Sequence, residues 1–142
     1  MKLISKVFII LNLLIPLFLG LFIYLTSRDR TVLFDMFSFV GIRLQEINYP
    51  QIIRNYACDF LWAYSLYWGV YFWGVFGGWR SLACLTSIVV LPFSLIMELI
   101  QIPRSMPGTF DFIDIVTEFC AIGLAVFIAI NYGRFIHEKN NC

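Results

Sequence analysis

Five carboxylates and one amide fall at spacings that bring side chains together. Glu98 and Gln101 are three residues apart, and Asp111, Asp114 and Glu118 follow at i, i+3 and i+7. On a helix each set occupies one face. Asp59 stands at the head of an earlier apolar stretch, and Arg104 lies three residues past Gln101. Crowded carboxylates cannot all ionise, so some of this set is protonated or paired. Arg104 offers a planar guanidinium suited to two-point pairing with a carboxylate. Such a cluster can bind a cationic or polyhydroxylated group, or move protons as an acid and base.

The rest of the chain decides where this cluster sits. In its 142 residues, hydrophobic types make up 61% and charged types 13%, with 18% aromatics and a mean hydropathy of +0.83. A small soluble domain cannot hide that much apolar surface, and a disordered chain would be poor in it. The net charge of +1 supplies no basic field for nucleic acid. Cys58, Cys84, Cys120 and Cys142 form no C-x-x-C pair, so neither a zinc site nor a disulfide framework is indicated. No motif calls for a cofactor.

About 20 apolar residues cross a bilayer, and four stretches approach that length: residues 7–25, 59–77, 82–102 and 112–132. The first is too long for a signal-peptide core and lacks a small-residue cleavage site, so it reads as a retained helix. Pro16 lies inside it, where a kink is expected. The links between the second, third and fourth stretches are short, which forces antiparallel neighbours. The expected fold is therefore all-α: one polytopic membrane domain over residues 1–142, with four transmembrane helices in an antiparallel bundle. In the long connection, Leu33, Met36, Phe37, Val40, Leu44 and Ile47 follow helical spacing, which predicts an amphipathic interfacial helix over about 33–47.

In that topology the start of the second span, the end of the third and the start of the fourth share one membrane face. Asp59, Glu98, Gln101, Arg104, Asp111, Asp114 and Glu118 then form a candidate polar pocket. Ionisable groups in a span are expensive and turn inward. Asp59, Asp111 and Asp114 also stand where helix caps are found, whereas Glu98, near a helix C-terminus, opposes the dipole. Aromatics crowd the second span. Tyr64, Trp68 and Tyr71 share one stripe and Trp62 and Trp73 another, fitting either core packing and interfacial anchoring or stacking on a ligand ring. His137 reads as a solvated residue in a polar tail.

The segment from Met97 to Val126 resembles the VanZ-like family of small bacterial membrane proteins. The motif is a helix ending in Glu-x-x-Gln, a Pro-Gly turn and a Phe-Asp-x-x-Asp helix start. It reads here as Glu98-Leu99-Ile100-Gln101, Pro107-Gly108 and Phe110-Asp111-Phe112-Ile113-Asp114. The run Asn55 to Tyr64 is similar to the opening of a span in the related domain-of-unknown-function 2809 family. Two positions depart from the family: Thr109 follows Gly108 where an Arg is usual, and Glu118 stands where the last helix carries Asn. The resemblance implies a four- or five-span protein of the bacterial cytoplasmic membrane. It also implies a link with the cell envelope, the family's named member being associated with lowered susceptibility to the glycopeptide teicoplanin.

No nucleophile–base pair, phosphate loop or dinucleotide fingerprint is present. The expected function is binding or modulation of an envelope component through the acidic pocket, the partner being a membrane lipid, a lipid-linked precursor or a membrane protein. The alternatives are a membrane enzyme using carboxylates on a lipid-linked substrate, and a small proton-coupled transporter acting as a homo-oligomer. With the N-terminus inside, Lys2, Lys6, Arg80, Arg134 and Lys139 are cytoplasmic and Arg28, Arg30, Arg43, Arg54 and Arg104 are outside. The positive-inside rule separates the two orientations little. The expectation is cytoplasmic termini and an extracytoplasmic acidic cluster.

Overall fold

The computed structural model describes residues 3–27, 47–76, 82–101 and 112–141. Every regular element among them is helical: α1 (Leu3–Ser27), a π-helical segment (Ile53–Ala57), α2 (Cys58–Phe76), α3 (Leu82–Gln101) and α4 (Phe112–Asn141). The interfacial helix expected at 33–47 lies outside the described residues except for its last position; Ile47 is exposed and non-helical.

Two helices are long and apolar enough to cross a membrane, over Lys6–Thr26 and Phe112–Tyr132. In these stretches only 11% and 22% of residues are buried within the chain. Their outer faces carry Leu11, Ile15, Phe18, Phe22, Phe119 and Phe127. A shorter apolar stretch, Leu85–Ile96, lies in α3. The second helix owes its apolar character to aromatic rings, and the polar tips of Tyr and Trp lower its hydropathy without lowering its capacity to pack.

The core is built around α2. Trp68 and Tyr67 have no exposed surface. The Trp68 ring meets Phe8 of α1 at 5.8 Å, Tyr67 at 5.8 Å and Tyr71 at 5.3 Å, all near edge-to-face, within the favoured range for aromatic pairs. α4 answers this bulk with small side chains: Ala121, Ala125 and Ala129 are buried at four-residue spacing beside Ile122. A stripe of small residues lets helices approach closely. Phe8 also stacks on Tyr132 of α4 at 3.9 Å.

The helix carrying α2 begins earlier than the apolar pattern indicates. Residues 51–52 are helical, and both Ile52 and Cys58 have αR backbones, so the π segment runs into α2 without a break. Pro50, just ahead, suits a helix start because its φ is fixed and its missing N–H would be an orphan there. Asp59 is therefore preceded by more than a turn of helix, and the N-cap reading does not hold for it. The chain returning from the long connection closes onto α1. The Ile47 N–H donates to the Thr26 carbonyl at 2.9 Å, and the Thr26 and Tyr49 hydroxyls lie 3.1 Å apart. An orphan carbonyl at the end of α1 is thus satisfied. At the other end of the chain, α4 continues to Asn141 rather than yielding to a tail after residue 132. Hydropathy marks where the apolar stretch ends, but Arg134, Glu138 and Lys139 are good helix formers, and the helix passes beyond it.

Gly20 marks the close approach of α1 and α2. A Cβ there would stand 2.9 Å from two atoms of the Trp62 ring and 3.3 Å from Leu61 Cβ, whereas one at Gly123 would meet nothing within 4 Å. Gly20→Leu is expected to lower stability by about 1–3 kcal/mol through overpacking, with Gly123→Ala keeping it or raising it by up to about 1 kcal/mol through helix propensity, as measured by unfolding of the detergent-purified chain. Equal stability of the two variants would contradict this packing.

Candidate functional site

Three of the sequence-predicted carboxylates have described side chains. Asp59 lies in the first turn of α2 and Asp114 in the first turn of α4, and both are half-buried. Glu118, one turn further along α4, is half-buried too. Arg104 and Asp111 lie outside the described residues, as do the side chains of Glu98 and Gln101, whose backbone closes α3.

Glu118 is held from a neighbouring helix. The Ser94 hydroxyl of α3 donates to Glu118 Oε2. Ser94 is itself buried, 4% exposed, and extends a buried stripe with Thr86 and Val90 along α3. This hydroxyl was not among the residues singled out from the sequence. A Ser in an apolar run is ordinarily satisfied by its own helix, and only the packing of α3 on α4 shows that it serves a carboxylate.

The same contact relates the remaining acidic positions. At about 100° per residue, positions 98 and 101 of α3 lie within about 40° of Ser94 around the helix, and position 114 lies within about 40° of Glu118 on α4. Positions 98 and 101 of α3 and position 114 of α4 thus fall on the Ser94–Glu118 faces of their helices. Among the described residues no three His, Cys, Asp or Glu side chains come together as metal ligands.

The aromatic candidates lie in the core. Tyr64 and Trp68 are buried and Tyr71 is half-buried. Tyr64 and Trp68 stand 6.3 Å apart, and Tyr71 stacks on Tyr67 at 6.1 Å. Trp62 and Trp73, the other stripe, are exposed. The Tyr64 hydroxyl donates to Asn12 Oδ1 of α1 at 2.6 Å, and Asn12 Nδ2 donates to the Phe8 carbonyl at 2.9 Å. Asn12 also escaped the sequence reading, although a lone amide in an apolar helix signals a cross-helix partner. Further along α1, Cys58 Sγ lies 3.7 Å from the Gly20 carbonyl.

The chain matches no protein-family model, no curated protein and no solved structure.

Ser94→Ala removes the Glu118 partner and is expected to cost about 1–3 kcal/mol, the usual range when a buried polar group loses its hydrogen bond. Replacing both residues together, as Ser94→Ala with Glu118→Leu, is expected to recover most of that loss. Thermal unfolding of the purified variants checks this. A Ser94→Ala chain as stable as wild type would show that the contact contributes nothing.

Proposed function

We propose that the chain is a four-span protein of the bacterial cytoplasmic membrane whose acidic cluster binds the polar head of an envelope component. In this reading α1 to α4 form an antiparallel bundle with both termini cytoplasmic, and the cluster opens on the extracytoplasmic side. The observation that carries it is the Ser94–Glu118 contact: a half-buried acidic side chain in the second turn of an apolar helix, bonded to a hydroxyl of the next helix. Intramembrane carboxylates are costly, turn inward and commonly mark sites of function.

Several contacts support the topology. Asn12 meets Tyr64 while Gly20 meets Cys58, so ascending positions on α1 meet descending positions on α2. Phe8 near the start of α1 stacks on Tyr132 at the far end of the apolar part of α4. If α3 and α4 also run in opposite directions, the Ser94–Glu118 register carries position 98 to the level of position 114, and position 101 to that of 111. The outward apolar faces of α1 and α4 suit contact with lipid.

Carboxylates with a serine hydroxyl among them offer mostly acceptors, which fits a cationic or hydroxyl-rich head group. The resemblance to the VanZ-like family supports an envelope component, lipid-linked or glycopeptide-related. Binding rather than bond-making is the reading we favour for this set of acceptors.

Glu98→Gln and Asp114→Asn preserve shape while removing charge. Both variants are expected to reach the membrane at wild-type level, and glycopeptide or envelope-stress susceptibility is expected to return to that of cells lacking the protein. Measuring level and susceptibility together separates the outcomes. Membrane levels that fall in step with the phenotype would make the carboxylates structural and overturn the binding site.

A further inference from the structure

A second polar feature lies inside the apolar region and is independent of the acidic cluster. Leu11, Asn12, Ile15 and Pro16 of α1, Phe60, Leu61 and Tyr64 of α2, and Leu124 of α4 line an open cleft of about 300 Å³. Its walls are apolar apart from Asn12 and Tyr64, the pattern of a small-molecule site in which few polar groups fix orientation. At about 30 Å³ for each small heavy group, taking water's share of liquid volume as the guide, it accommodates roughly ten non-hydrogen atoms.

The polar groups are unequal in donors and acceptors. A helical carbonyl points toward the residue four positions on, and Pro16 lacks the N–H that would bond to the carbonyl of Asn12. Both residues line the cleft, so the gap in the helical ladder lies beside it. The single Tyr64 hydroxyl proton is committed to Asn12 Oδ1, and one Asn12 amide proton to the Phe8 carbonyl. On Asn12 this leaves two acceptor oxygens, its carbonyl and Oδ1, against one amide proton. In a bilayer no water is at hand to satisfy that surplus.

We propose that this cleft binds an apolar molecule bearing one hydroxyl, such as a medium-chain alcohol, with the hydroxyl donating to the Asn12 carbonyl. A hydroxyl both donates and accepts and therefore matches the cleft. An ether can only accept, and an alkane can do neither.

The test uses the full chain in lipid nanodiscs with a diazirine-bearing octanol, adducts being mapped by mass spectrometry. Labelling is expected at Leu11, Ile15, Leu61 or Leu124, suppressed by excess 1-octanol and little affected by octane or methyl octyl ether at equal mole fraction in the bilayer. Pro16→Ala restores the helical N–H to Asn12, and Tyr64→Phe removes an oxygen while keeping the ring. Pro16→Ala is expected to weaken octanol competition by about fivefold, the order that follows from losing one hydrogen bond, and Tyr64→Phe, which leaves the Asn12 carbonyl in place, is expected to change it little. Pro16→Ala tests the carbonyl without threatening the fold, since it improves the helix. Equal competition by octane would overturn the proposal and leave a lipid-filled notch. Labelling spread over lipid-facing residues such as Val7, Phe18 and Phe22, or competition unchanged in Pro16→Ala, would also overturn it.

Discussion

A polar side chain on an apolar helix must find its partner either on its own backbone or on another helix. That constraint organises this molecule. Ser65 turns back on its own helix, bonding to the Leu61 carbonyl, and Thr26 bonds both to the Phe22 carbonyl of its own helix and to the Tyr49 hydroxyl beyond it. Tyr64 with Asn12, Cys58 with the Gly20 carbonyl, and Ser94 with Glu118 instead reach across to a neighbour. Apolar contacts between such helices are forgiving, because lipid is as apolar as Leu. Hydrogen bonds are not forgiving, and a register slipped by one residue would break each of these pairs.

Shape then refines what polarity sets. The aromatic face of α2 needs a flat partner, which the Ala121, Ala125 and Ala129 stripe of α4 supplies, and Gly20 gives the same relief against α1. Trp68 lies where these surfaces meet and packs by ring area and edge-to-face contact with Phe8, Tyr67 and Tyr71. The α3–α4 seam holds the Ser94–Glu118 contact.

The sequence was most legible where a single physical quantity dominates. Hydropathy and Pro/Gly punctuation located all four helices to within a few residues at most ends, because the energy of apolar transfer is summed over a whole segment. It misjudged two ends, the start of the helix before Asp59 and the extent of α4, since helix hydrogen bonding does not stop where apolarity does. Around Asp59 the Tyr49-Pro50 signal was present but outweighed by the apolar run that follows. The site was legible only in half. Spacing picked out Glu118 and Asp114, yet Ser94 and Asn12 became meaningful only through helix pairing, information that one chain's periodicity does not contain. For Tyr64 the sequence left core packing and ligand stacking both open; the ring is buried in the core and its hydroxyl is engaged across helices.

The claim on which the acidic site rests is the register of α3 against α4, fixed at Ser94 and Glu118 and carried one turn to positions 98 and 114. Disulfide trapping tests it most directly. In a chain whose native cysteines are replaced and whose 102–111 connection carries a protease site, Glu98→Cys with Asp114→Cys should cross-link under mild oxidation. The two fragments should then stay joined after cleavage until a reductant is added. Glu98→Cys with Val116→Cys, the latter on an exposed face of α4, should not cross-link. Efficient trapping of the second pair but not the first would place the carboxylates on separate faces and contradict a shared site.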